Sequence, residues 1–277
     1  MSLSIKEDRR YRLLLQLDNY ICERSLRRSD ADSLVGKLIF CVMSQFGRVG
    51  RAAISQVGQH ARHSPSPAIS RETEFALAFL YDLIRDLPPF TVSMYPPKQE
   101  SVLVWTDAMF EKGGRRLDGP ERGCTAAIGA IVWCPRQRRY FHASKQIEPA
   151  ILEWLFSIKE QYIAQLGMLA AMCVYEALPQ VFTDALVIHF IDNQGVLWNA
   201  AHGSSTEPGC AMMTHTTSLL QARLRARVWY EYVPSALNIS DDPSRGDFAY
   251  LVMACAHGLY SPWSHFEITI PKTLGLW

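Results

Sequence analysis

The sequence predicts an α/β domain, a sheet covered by helices, behind a separate helical region. Three observations predict it. Apolar residues recur at helical spacing up to about residue 95, and short strand-like runs alternate with helical runs beyond residue 100. A Pro-containing stretch, "SMYPPKQE" (93–100), divides the two halves. The 277 residues are 48% hydrophobic and 20% charged, an ordinary globular composition, enough for one large domain or two smaller ones. The boundaries that follow are a helical region at 1–95, an α/β domain at 100–256 and a C-terminal tail at 257–277.

In the first half, "YRLLLQLDNYI" (11–21) sets Leu13, Leu14, Leu17, Tyr20 and Ile21 on one helical face. "SDADSLVGKLIFCVMSQF" (29–46) opens with N-capping residue types and then turns apolar. "SRETEFALAFLYDLIRDLPP" (70–89) opens on a capping pair, Ser70 with Thr73 or Glu74, and is stopped by Pro88 and Pro89. Between them "HARHSPSPAIS" (60–70) reads as a linker, and "GRVG" (47–50) as a plain turn. No catalytic constellation appears in this half.

In the second half, "SVLVWTDA" (101–108) is a short strand ending on Asp107. "CTAAIGAIVW" (124–133) and "RRYFHASK" (138–145) are two more strands, joined by a turn at "CPRQR". "SIKEQYIAQLGMLAAMCVYEALP" (157–179) predicts one long helix with Ser157 as N-cap, Glu160 at N3 and Pro179 as its stop. "LVIHFIDNQGVLW" (186–198) is a strand that breaks off at Asp192 and Asn193, followed by a short helix. After the loop "GSSTEPG", "CAMMTHTTSLLQARLRAR" is a helix and "VWYEYVPSA" the fifth strand. "SDDPSRGDFAYLVMACA" (240–256) predicts a final helix opened by acids. The succession is β-β-β-α-β-α-α-β-α.

Composition excludes several classes. A net charge of +1, from 28 basic and 27 acidic residues, carries no global polyelectrolyte signal. Seven scattered cysteines without a Cys-x-x-Cys pair read as reduced thiols, not as a disulfide frame or a zinc site. The charged start "MSLSIKEDRRYR" does not read as a secretory signal, and no apolar run approaches the ~18 residues of a membrane span. The expectation is an intracellular protein, cytoplasmic or nuclear, with no membrane partner. There is no Gly-x-Ser-x-Gly elbow and no Gly-rich phosphate loop.

Three acids fall where element ends should converge: Asp107 on the first strand, Asp192 after the fourth, and Asp241, beside Asp242, at the last helix. In an open α/β sheet, strand ends near a change of strand order form the usual site crevice. A strand-end Asp is commonly a turn former and a helix-start Asp a cap, so each alone says little. Their order and contexts together say more.

The succession "VWTDA", hairpin, long helix, "FIDNQ" and "YVPSALNISDDPSR" resembles the ribonuclease H domain of retroelement reverse transcriptases, closest to the DIRS type, over residues 100–256. Residues 1–95 resemble, less specifically, the helical thumb and connection region preceding that domain, chiefly through "SLVGKLIFCVMSQFGR". No polymerase palm motif of the Tyr/Phe-x-Asp-Asp kind is present. The resemblance implies a ribonuclease H-like mixed five-stranded sheet and a hydrolase, an endonuclease that cuts the RNA strand of RNA–DNA hybrids. It implies Asp107, Asp192 and Asp241 as catalytic residues holding two Mg²⁺ ions, or Mn²⁺, with Asp107 bridging. Clustered carboxylates and hard divalent cations agree with that chemistry. Substrate contacts are expected from Asn193, Ser244 and Arg245, and from Arg136, Arg138 and Arg139 on the hairpin turn. A polymerase subunit or another protein is the partner expected for the helical half.

Two departures stand out. The family's fourth acid, a helical Glu, aligns with Gly167, and Glu160 lies about two turns away. The His-bearing loop before the last acid is absent, leaving His202 and His215 as ordinary polar residues. The alternative is therefore a catalytically weak or inactive module for nucleic-acid binding or complex assembly. A transposase or integrase nuclease would place a helical Glu where this chain has "DDPSR".

Overall fold

The computed structural model describes residues 2–3, 5–43, 48–86, 90–91, 100–111, 124–158, 162–249, 252–253 and 263–270. They fall into two compact units, one within residues 1–97 and one within 98–274.

The first unit holds β1 (Ser2–Leu3), α1 (Glu7–Glu23), α2 (Arg28–Met43), α3 (Arg51–His63), α4 (Arg71–Asp86) and β2 (Phe90–Thr91), with β1 antiparallel to β2. The apolar positions at helical spacing become its core, among them Leu13, Leu17, Leu34, Leu38, Leu77, Leu80 and Ile84. Ser70 accepts a hydrogen bond from the Thr73 backbone N–H at 3.3 Å, the expected start of α4. Val49 and Gly50 form a turn, and Gly50 (φ 88°) starts α3 in a conformation open to glycine. The expected linker is shorter than its composition suggests, because His60–His63 are the last turn of α3. His60, buried against the Leu26 carbonyl at 2.9 Å, draws that turn into the core.

The second unit begins with β3 (Val102–Glu111), β4 (Thr125–Cys134) and β5 (Arg139–Gln146), then α5 (Pro149–Ile158), α6 (Tyr162–Ala177) and α7 (Pro179–Phe182). It continues through β6 (Leu186–Ile191), α8 (Gln194–His202), α9 (Pro208–Arg223), β7 (Arg227–Tyr232), a 3₁₀ turn at Ser235–Leu237, α10 (Asp241–Ser244) and β8 (Trp263–His265). The mixed six-stranded sheet has the order β7-β6-β3-β4-β5-β8. β3, β4 and β5 are antiparallel neighbours, whereas β6 is parallel to β3, β7 to β6 and β8 to β5. Five strands are those expected; the sixth comes from the segment expected as a tail.

Alternation along β3 decides the two faces. Val102, Val104 and Thr106 point into the core with Val187, His189 and Ile191 of β6. α6 lies on that face and α9 packs on α6. Residues 168–175 of α6 are therefore buried without a break, as in a helix covered on all sides. Trp105 and Phe190 occupy the other face and stack at 5.1 Å.

Two expected helices differ. Ser157 is not an N-cap: it lies inside α5, a helix made by the apolar run "PAILEWLFSI". Glu160 lies outside the described residues. The final helix is not continuous. α10 is one turn, and Gly246 (φ 73°) takes the chain out of helical geometry immediately after it.

Candidate active site

Strand order reverses between β3 and β6, and the site lies where these two strands part. Their parallel ladder runs only from Val102↔Val187 to Trp105↔Phe190, while β3 continues along β4 to Glu111↔Thr125. Asp107 stands two residues beyond the last β3–β6 pair on the one strand, and Asp192 two residues beyond it on the other. Asp107 is thus inside its strand, not at the end of it, but it is at the end of the parallel ladder. By alternation it shares the face of Trp105, away from α6.

Asp241 reaches the same place by a different route. Asn238 donates from Nδ2 to the Thr106 carbonyl, and its Oδ1 accepts from Ser240 Oγ at 2.7 Å. The "NISDDPS" turn is thereby tied to the strand one residue before Asp107. α10 then sits directly on β4 at Gly129, the residue paired with Asp107. A Cβ at Gly129 would lie 2.3 Å from the Ser244 amide nitrogen and 2.8 Å from the Ser240 carbonyl. That approach lets Ser244 Oγ donate to Asp107 Oδ2 at 2.6 Å. Arg245, one turn after Asp241, donates from Nε and a terminal nitrogen to Asp241 Oδ1 at 3.1 and 3.0 Å.

Electrostatics bind the three acids into one set. Burial pushes the Asp107 carboxyl above the usual carboxylate range, and the charges of Asp192 and Asp241 push it further. The Ser244 hydroxyl and the Ala108 backbone N–H act in the opposite direction. Of the two acids that open α10, Asp241 is the one whose charge acts on Asp107. All three acids are half-buried.

The donors are all carboxylate oxygens, the chemistry that suits a hard divalent cation. Among the described residues, however, no three His, Cys, Asp or Glu side chains stand as a closed metal-holding group. Asp107 Oδ2 is held by Ser244 and Asp241 Oδ1 by Arg245.

The other expected residues divide. Asn193 is the N-cap of α8: its Oδ1 accepts from the Gly195 and Val196 amides at 3.0 and 3.1 Å, which is why an Asn follows Asp192. Arg136, Arg138 and Arg139 lie at the opposite end of the sheet, because β4 pairs Trp133 with Leu103 before reaching their turn. From Gly129 to Cys134 is five residues, about 17 Å of strand. Arg136 donates to the Val181 and Thr183 carbonyls and Arg139 to Ser264 Oγ, so both tie elements together there. Arg138 is exposed, in the left-handed region (φ 47°). Gly167 faces α8: a Cβ there would lie 2.9 Å from Val196 Cγ2.

Sequence reading missed the layer beneath the site. Thr106 Oγ1 and His189 Nε2 are 2.8 Å apart, and His189 Nδ1 is 3.0 Å from the Tyr175 hydroxyl. This buried chain joins β3, β6 and α6 directly behind Asp107. Burial pushes the His189 imidazole down to about 3, so it is neutral. The cue was a lone His inside the apolar run "LVIHFI"; for the α10 seat it was Gly129 in the interior of a strand. His202, the last residue of α8, bonds the Trp198 carbonyl, and His215 is buried in α9.

No protein-family model matches the chain, and no curated protein matches it in sequence. Among solved structures, ribonuclease H1 from the halophilic archaeon Halobacterium salinarum NRC-1 is similar, with 15% identity and a TM-score of 0.36. That alignment covers 53% of this chain and 96% of the archaeal one. The N-terminal ribonuclease H domain of rv2228c from Mycobacterium tuberculosis, solved as a fusion with maltose-binding protein, is similar at 17% identity and a TM-score of 0.33. It covers 56% of this chain and 98% of its own. Among the described residues, no helix is long and apolar enough to cross a membrane.

Proposed function

We propose that the chain is a metal-dependent endonuclease that hydrolyses the RNA strand of RNA–DNA hybrids and derives from a reverse transcriptase. The observation that carries this reading is the meeting of Asp107, Asp192 and Asp241 at the parting of β3 and β6, where their charges oppose one another. Mg²⁺ or Mn²⁺, held by these aspartates, would supply the charge that activates water and steadies the leaving oxygen. In the hydrolysis the water oxygen bonds to phosphorus, the P–O3′ bond breaks, the 3′ oxygen takes a proton, and a 5′-phosphate remains. Ser244 fixes the Asp107 carboxylate, and the Asn238–Ser240 turn fixes the start of α10. The hybrid would be gripped through its backbone and 2′-hydroxyls, not through base sequence. Arg245, at the rim beside Asp241, is better placed for phosphate than Arg136 or Arg139.

A second reading, a weak or inactive module for nucleic-acid binding or assembly, is favoured by one observation. Position 167 of α6 is a glycine, with Val196 Cγ2 2.9 Å from where a Cβ would stand, so this residue brings no further acid. Cleavage of an end-labelled RNA–DNA hybrid in Mg²⁺ separates the readings. Cleavage by the wild type that Asp192→Asn abolishes supports the nuclease; an inert wild type that still binds hybrid supports the module.

A further inference from the structure

The end of the sheet remote from the three acids gathers arginines from two distant parts of the chain. We propose that it is a second nucleic-acid surface, on which exposed arginines hold the phosphates of an unpaired strand and Trp229 stacks on one of its bases. This goes beyond the nuclease reading and does not depend on it.

Pairing brings the arginines together. The β4–β5 turn carries Arg136 and Arg138 and leads into Arg139, while the passage from α9 into β7 carries Arg223, Arg225 and Arg227. The Asp184 amide bonds the Leu224 carbonyl and the Arg227 amide the Ala185 carbonyl, each at 2.9 Å, so the turn before β6 is tied to the turn before β7. Arg136 reaches the same place from the hairpin, through the Val181 and Thr183 carbonyls. Asp184 feels all of this: the Arg225 hydrogen bond holds its carboxyl below the usual carboxylate range, and the charges of Arg136 and Arg227 add to the effect. From β7 to the β4–β5 turn the strand order spans three to four spacings, about 14–19 Å.

The six arginines divide by role. Arg225 grips both carboxylate oxygens of Asp184 at 2.6 Å, and Arg136 and Arg139 bond backbone carbonyls and Ser264. Arg138, Arg223 and Arg227 are exposed, and among the described residues their side chains form no hydrogen bond or ion pair. Arg138 stands at φ 47°, a backbone conformation that suits glycine or asparagine, so the turn itself gives no reason for an arginine there. The acids that chain position brings to this end are Asp184, Glu100 before β3, Glu176 in the last turn of α6 and Glu231 on β7. The six arginines outnumber these four, and Arg225 already occupies Asp184.

The aromatic neighbour selects nucleic acid over an acidic polypeptide. Trp229 is 67% exposed, on the same face of β7 as Arg227 and about 7 Å along the strand from it. Its Nε1–H donates to Glu231 at 3.0 Å, which holds the ring. A flat indole beside guanidinium groups offers a stacking surface for a base and positive charge for its backbone. Such stacking needs an unpaired base, so a single strand fits better than a duplex.

The test is fluorescence anisotropy of the full chain with a labelled oligothymidylate, in EDTA and over a range of salt concentrations. Combining Arg138→Asn, Arg223→Gln and Arg227→Gln should lower the steepness of log K against log salt by about 2, from three contacts at about 0.7 each. Arg138→Lys, Arg223→Lys and Arg227→Lys together should leave the slope as in the wild type. Trp229→Ala should weaken binding about ten-fold with the slope unchanged. Thermal melting shows that each variant is folded, and Arg138→Asn alone should melt no lower than the wild type. No binding by the wild type, an unchanged slope in the charge-removing variant, or unchanged affinity in Trp229→Ala would overturn the inference. So would poly-L-glutamate that binds more tightly than the oligonucleotide and is lost in the same variant, which would give the surface to an acidic polypeptide. Cleavage of a hybrid in Mg²⁺ is a separate measurement, so the nuclease reading stands or falls apart from these outcomes.

Discussion

Gly129→Ala is the smallest change that should dismantle the site. The added methyl would lie 2.3 Å from the Ser244 amide nitrogen, and ordinary contact begins near 3.4 Å. The obstructing atoms are backbone, so no side-chain rotation relieves the clash, and α10 must lift by the difference, about 1.1 Å. Carried along the line to Asp107, that lift stretches the Ser244–Asp107 hydrogen bond from 2.6 Å to about 3.7 Å, past bonding distance. Overpacking of this kind costs about 1–3 kcal/mol, and a hydrogen bond to a charged group contributes roughly 1.5–3 kcal/mol of its own. The variant should unfold at lower denaturant by an amount in that range. Because Asp241 moves with α10, cleavage of the hybrid should fall by about 100-fold, the loss expected for a reacting group misplaced by 1 Å. Urea denaturation and single-turnover cleavage measure the two effects separately. Wild-type stability together with a wild-type rate would show that α10 is not seated on Gly129, and the geometry argued for the site would be wrong.

Two other perturbations follow from the buried surroundings. His189 has its folded value near 3 against an ordinary 6.5, so its contribution to stability is complete above pH 6.5 and is lost as the pH falls towards 3. At pH 4.5 the loss should be about 3 kcal/mol. His189→Phe should cost about 1–3 kcal/mol at pH 7 by removing the bonds to Thr106 and Tyr175, and the gap to wild type should close at pH 4.5. A gap that does not change with pH, in urea titrations at both values, would contradict a neutral buried imidazole. Gly167→Glu should destabilise by about 1–3 kcal/mol against Val196, less the roughly 1 kcal/mol that replacing a helical glycine returns. Val196→Ala should relieve the clash, so melting of the double variant should depart from additivity towards higher stability, and strict additivity would refute the contact.

The sequence by itself determined the elements and the order of the acids. Local periodicity reports which face of a segment is apolar, and that was enough to find α1, α4, β3, β4, β5, β6 and β7 and to place Asp107, Asp192 and Asp241 among them. It failed where a local signal had two explanations. Ser157 and Glu160 spell a capping box, yet Ser157 belongs to α5 because the apolar run around it packs as a helix of its own. The acids of "SDDPSRGDF" announce a helix start, but the length of that helix was set by Gly246. Only the tertiary structure decided that β8 pairs with β5, that the hairpin arginines lie at the far end of the sheet, and that Arg245 holds Asp241. The physical reason is common to all three. Pairing register and charge neighbourhood are relations between residues distant in the chain, and no window of sequence contains both partners.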